Sequence, residues 1–162
     1  MNITNFPDVL KSDLVSKFGT ESLRFLTTSV GDYVIEAEAL MTHALLQYLK
    51  EYANFDFLMD ICGVDYPNRH KRFDVVYHLF NSKDNSRVRV KAQLSEGEAI
   101  ATATNIWLGA DWFEREAYDM FGLIFDGHPN LRKILTHHQF VGHPLRKDYE
   151  ADDQQHCDRV IP

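Results

Sequence analysis

The sequence predicts an α+β fold, a two-layer sandwich with helices on one face of a mainly antiparallel mixed sheet, followed by an extended irregular C-terminal segment. Three observations carry this. Helical and strand periodicities follow one another in the order helix, hairpin, helix, three strands, two helices. The segment RVRVKAQL (Arg87–Leu94) alternates strictly, with Val88, Val90, Ala92 and Leu94 on one side and Arg87, Arg89, Lys91 and Gln93 on the other. Beyond Gly122 no period is sustained.

Taken in order, Phe6, Leu10, Leu14 and Phe18 recur at helical spacing, with Gly19 behind them as a stop. SLRFLTT and DYVIEAE flank Val30–Gly31 as the arms of a hairpin. Leu40, Ala44, Leu45, Tyr48, Leu49 and Tyr52 restore helical spacing. Three strands follow, FDFLMDICGVD, FDVVYHLF and RVRVKAQL, joined by the turn-rich YPNRHK and NSKDNS. Ser95 and Glu98 fit a capping box that opens a helix toward Trp107. Asp111 and Glu114 repeat that pattern for a second helix, which Gly122 ends. The remainder holds three of the five prolines and most of the histidines, so it must wrap its own domain or dock elsewhere. Residues 1–121 thus form the α+β domain, and residues 122–162 a docking segment of that same domain.

Composition removes several function classes. A net charge of −7 offers no basic field for nucleic acid. No apolar run approaches the ~20 residues of a membrane-spanning helix, and the N-terminal stretch lacks the pattern of a secretory signal. Two cysteines, Cys62 and Cys157, are too few for an iron–sulfur cluster within the chain and do not suggest a disulfide framework. A reduced, cytosolic-type protein is expected, with any membrane association through partners. Cys62 reads as a buried structural thiol.

Phosphate-binding glycine motifs, a GxSxG elbow and a cysteine-protease context are all missing. His128, His137, His138, His143, His156 and Cys157 lack paired ligand spacing, so no metal is expected there. The stretch WFEREAYDMF (Trp112–Phe121) concentrates the remaining chemistry. At about 100° per residue, Trp112, Phe113, Ala117, Met120 and Phe121 share an apolar arc, with Glu114, Arg115, Tyr118 and Asp119 opposite. Arg115 can reach Asp119 at i,i+4. Glu116 falls inside the apolar arc, where a carboxylate must be paired or protonated. It is expected to be buried against Arg132 or Arg146. A rival reading makes Glu116 a general base, in a stand-alone acid–base enzyme using Glu114, Glu116 and His128.

The same residues carry a family resemblance. EREAYDMFGLIFDGHPNLRKIL (Glu114–Leu135) resembles the signature of the C subunit family of respiratory complex I, through Glu114, Arg115, Glu116, Asp119, Met120, Phe121, His128, Arg132, Ile134 and Leu135. DICGVDY (Asp60–Tyr66), RVRVKA (Arg87–Ala92), ADWFERE (Ala110–Glu116) and GHPLRKDY (Gly142–Tyr149) extend it. The resemblance implies a non-catalytic scaffold subunit of the peripheral arm of a proton-translocating NADH:quinone oxidoreductase. It would dock on the D subunit of that complex, with the B subunit also a neighbour, on the cytoplasmic side of the bacterial inner membrane. FMN and iron–sulfur clusters are then expected in partner subunits and no cofactor in this chain. An alternative from the same superfamily is the equivalent subunit of a membrane-bound hydrogenase or related quinone-linked dehydrogenase. Glu114, Arg115, Glu116, Asp119, His128, Arg132, Arg146, Lys147 and Asp148 are the implied interface or structural residues.

Overall fold

The structure, a computed structural model, describes residues 8–29 and 32–151. Phe6, the Val30–Gly31 turn, His156 and Cys157 lie outside the described residues.

Helix α1 (Asp8–Phe18) leads into the hairpin β1 (Leu23–Thr27) and β2 (Tyr33–Ala37), then α2 (Ala39–Glu51). Strands β3 (Phe57–Asp65), β4 (Phe73–Phe80) and β5 (Arg87–Leu94) form an antiparallel meander. In the sheet the order is β1-β2-β5-β4-β3, with β2 and β5 parallel and every other pair antiparallel. Helix α2 produces that one parallel pair by carrying the chain across the sheet, so that the meander returns to β2 from the far edge. The predicted α+β sandwich with a mainly antiparallel mixed sheet is what forms.

The period-2 pattern decides which face is covered. Ile35, Val75, Tyr77, Leu79, Val88, Val90, Ala92 and Leu94 are buried together against Leu14 of α1 and Leu45, Leu46 and Leu49 of α2. Each large apolar side chain fully buried in this way contributes about 1.5–3 kcal/mol. A third helix, α3 (Ala110–Phe121), covers the β3 end of the same face. It lies so close that a Cβ on Gly63 would come within 2.6 Å of the Phe121 ring. On the opposite face Leu26, Glu36, Cys62, His78, Arg89 and Lys91 line a shallow open cavity.

The helix predicted from Ser95 to Trp107 does not form. The Glu98 carboxylate does accept the Ser95 N–H at 2.8 Å, and the Glu98 N–H donates to the Ser95 carbonyl at 3.1 Å. Gly97 between them has a φ of 76°, which closes a turn instead of opening a helix. The chain continues as β6 (Ala99–Ala101), parallel to β7 (Ile124–Asp126), and then as turns to Trp107. The second capping box fails too. Gly109 occupies the N-cap of α3, and Glu114 turns inward instead of back toward Asp111. The predicted stop holds, with Gly122 at φ 74° and its N–H bonded to the Tyr118 carbonyl.

Candidate functional site

Helix α3 presents its polar residues in a way the apolar-arc argument did not anticipate. Glu114 and Asp119 have no solvent exposure, Trp112 is 65% exposed, and Glu116 lies on the surface. The expectation of a buried, paired Glu116 is therefore overturned: among the described residues it makes no ion pair. Helix α3 has two packed sides, the sheet with the β6 turn and the returning C-terminal segment, and each takes one acid from the supposed solvent face. The i,i+4 pair also runs the other way, with Arg115 facing Asp111 at 3.9 Å. Glu116→Ala is thus expected to leave stability within about 0.5 kcal/mol of the parent, measured by urea unfolding. A loss several times larger would restore the buried-pair view.

Asp119 collects the C-terminal segment. Its Oδ2 accepts the backbone N–H groups of Ile134, Leu135 and Thr136 at 3.0, 2.8 and 2.8 Å, and Oδ1 accepts the Thr136 hydroxyl at 2.5 Å. Burial works against ionisation, yet these four donors outweigh it and hold the carboxyl below its ordinary value. The orphan carbonyls that end any helix are claimed by the same segment. His143 Nδ1 donates to the Asp119 carbonyl at 2.9 Å, the Leu145 N–H to that of Met120 at 3.1 Å, and Arg146 Nε to that of Phe121 at 2.7 Å. Arg146 also meets Glu96 at 2.6 Å, so its cation sits at the negative end of the helix dipole. Gly122 must lack a Cβ here, which would lie 2.6 Å from both His143 and Arg146.

A second clasp joins the segment to the sheet. Arg72 grips Asp65 through two bonds of 2.8 Å and Asp148 through bonds of 2.9 and 2.5 Å. The Lys147 backbone N–H adds a bond of 2.8 Å to Asp65. Hydrogen bonding to Arg72 is the largest cause that holds both carboxyls below their usual range. Arg115 donates to the Arg132 and Lys133 carbonyls at 3.3 Å each, and the Lys133 ammonium donates to the Phe140 carbonyl. Left facing outward are Leu135, Val141 and Leu145, with the exposed Arg132 and Lys147 beside them.

Glu114 and His128, named for acid–base chemistry, do come together, with 3.9 Å between Oε2 and Nε2. Neither side chain has any solvent exposure. Glu114 accepts the Thr102 hydroxyl at 2.5 Å and the Ala103 N–H at 2.6 Å. Burial pushes its pKa up to about 7 despite those bonds, with Asp111 adding to the rise. The Asn130 N–H donates to His128 Nδ1 at 2.9 Å, which leaves the hydrogen on Nε2, directed at the Asp111 carbonyl 3.2 Å away. Chemically this is a sealed carboxyl held by a hydroxyl and an amide, with an imidazole behind it and Glu116 absent.

Sequence reasoning missed Asp65, Arg72, Glu96, Thr102 and Thr136. The available signal was Asp65 and Arg72 bracketing the YPNRHK turn, where a hairpin would bring their side chains together. It also missed a group on the open sheet face, Asp60, Cys62 and His78, which only the β3–β4 register brings together. Cys62 is partly exposed, where a buried structural thiol was expected.

The fold and these contacts define a class of protein: a two-layer α+β domain whose signature acids and arginines hold its own C-terminal segment extended across a helix end and a sheet corner. Residues 34–155 match the family described as the respiratory-chain NADH dehydrogenase, 30 Kd subunit. The chain belongs to that family. It is 66% identical over 153 residues to the fused C/D subunit of NADH-quinone oxidoreductase from Bdellovibrio bacteriovorus, covering 94% of this chain and 27% of that protein. To the C 1 subunit of the same enzyme from Rhizobium meliloti it is 51% identical over 121 residues, 74% of this chain and 60% of the relative. The chain therefore spans less than two thirds of the length of either. Among solved structures, a chain of an archaeal respiratory membrane complex, the membrane-bound sulfane sulfur reductase, shares the fold. The TM-score is 0.65 at 22% identity, over 75% of this chain and 71% of that one.

Proposed function

We propose that this chain is a scaffold subunit of the peripheral arm of a proton-translocating NADH:quinone oxidoreductase. It docks on the D subunit, with the B subunit nearby, at the cytoplasmic side of the bacterial inner membrane. The observation that carries the reading is the fused relative. A region 66% identical to this chain shares a single polypeptide with the part named for the D subunit. Covalent joining holds two modules at high effective concentration, which suits modules that work in contact. Redox cofactors, FMN and iron–sulfur clusters, belong in this reading to partner subunits. No helix among the described residues is long and apolar enough to cross a membrane, which fits attachment through the assembled complex.

The acid–base enzyme is the weaker reading, because Glu114 and His128 are shut off from solvent and Glu116 is not with them. The hydrogenase-type alternative is weaker as well. Relatives at 50–66% identity carry NADH-quinone oxidoreductase names, while the likeness to the sulfur reductase complex extends only to the fold.

Arg132 and Lys147 test the proposal, since their side chains face outward, whereas Arg146 is committed to closing α3. Arg132→Glu with Lys147→Glu is expected to lower the amount of assembled complex severalfold while the isolated chain stays folded. NADH-to-quinone activity should fall in proportion, with turnover per assembled particle unchanged. Fully assembled particles that have lost turnover would overturn the scaffold role.

A further inference from the structure

The open face of the sheet carries a cluster that the tail-holding contacts do not use. Asp60 and Cys62 are two residues apart on β3 and share a face, and His78 on β4 is the cross-strand partner of Asp60. A carboxylate oxygen, the Cys62 Sγ and an imidazole nitrogen all lie within 4.8 Å of one another, and all three residues are half-buried. Sγ and His78 Nε2 are 3.9 Å apart. In tetrahedral zinc geometry a thiolate sulfur at ~2.3 Å and an imidazole nitrogen at ~2.0 Å from the metal stand roughly 3.5 Å apart. Small side-chain rotations would close the remaining gap.

We propose that Asp60, Cys62 and His78 form a three-ligand site for a zinc-class divalent cation, with its fourth position open to the uncovered face of the sheet. A thiolate with an imidazole selects zinc over magnesium or calcium, which take all-oxygen sets. Three protein ligands leave one position for water or a group from outside the chain, unlike the closed four-ligand structural sites. The nearest cation, Arg89, is the cross-strand partner of His78, and its charge is countered by Asp32 at 2.7 Å. On binding, the Sγ–H bond breaks, the proton passes to solvent, and a sulfur–metal bond takes its place. The chain gains no redox centre by this, so the site stands apart from the scaffold reading and does not depend on it.

The test uses the full-length chain, stripped with a chelator and titrated with zinc by calorimetry, then with cobalt(II) as a spectroscopic probe. One zinc per chain is expected, with a sulfur-to-cobalt charge-transfer band. Cys62→Ser and His78→Gln should each weaken binding on the order of a hundredfold or more and abolish or shift that band. Cys157→Ser should leave both unchanged. His78→Gln, on the outer face of the sheet, remains informative if Cys62→Ser fails to fold, as judged by circular dichroism. Wild-type zinc uptake no greater than that of the folded variants would overturn the site. So would loss of binding in Cys157→Ser alone.

Discussion

Asp119→Ala is expected to lower the stability of the chain by about 3–5 kcal/mol and to release residues 134–149 to protease. The carboxylate has no solvent exposure and gathers four donors, three of them consecutive backbone N–H groups. A hydrogen bond to a charged group is worth about 1.5–3 kcal/mol, and truncation also strips donors of their acceptor. The bonds are not additive, and the freed amides can reach water, which keeps the total below their sum. Urea unfolding of the full chain measures the loss, and limited proteolysis locates it. An unchanged midpoint with an uncut tail would mean that Arg72 and the end of α3 hold the segment without Asp119. The linkage follows from the depressed carboxyl: its contribution is fully present above the unfolded value of about 4 and fades as pH falls through the lower folded value.

That so much rests on Asp119 could not be read from helical periodicity, and the reason is physical. A wheel sorts residues between one covered side and one wet side. Helix α3 is covered on two sides, and the second cover is an irregular segment with no period of its own. The wheel therefore exposed Asp119 and Glu114 and buried Glu116, the reverse of what the fold does. The strands were legible because a single sheet face governs them, as the alternation of Val88, Val90, Ala92 and Leu94 records. For α2 the spacing gave the helix but not its buried side, since Leu40 and Tyr52 are exposed while Thr42 and Leu46 are buried. Between Ser95 and Trp107 a capping pattern lost to a glycine in the left-handed region, and β6 finds its partner only in β7, beyond α3. Family resemblance picked out Asp119, Arg146 and Asp148 where periodicity could not. What each one holds emerged from the path of the tail.

Glu114→Gln is expected to remove a stability swing of about 3 kcal/mol between about pH 4.5 and pH 7. Burial raises the Glu114 pKa from 4.5 to about 7 in the folded chain, so between those values the folded state holds a proton that the unfolded state has lost. Stability from this group is therefore full below about 4.5 and declines as pH rises through 7, by about 1.4 kcal/mol for every pH unit that separates the folded and unfolded values. Glutamine keeps the shape without the titration. Its amide oxygen can accept the Ala103 N–H, while the Thr102 hydroxyl turns to Thr104 Oγ1, 2.9 Å away. Urea unfolding of parent and variant across this range should show the parent losing ground to Glu114→Gln as pH rises. Taking the difference between parent and variant cancels the contribution of groups remote from Glu114. A difference that stays constant with pH would show that Glu114 is ionised throughout, and that Thr102 and Ala103 alone meet the cost of burying its charge. A difference that grows with pH identifies Glu114 as a buried acid whose proton belongs to the fold, sealed between α3 and the turn after β6.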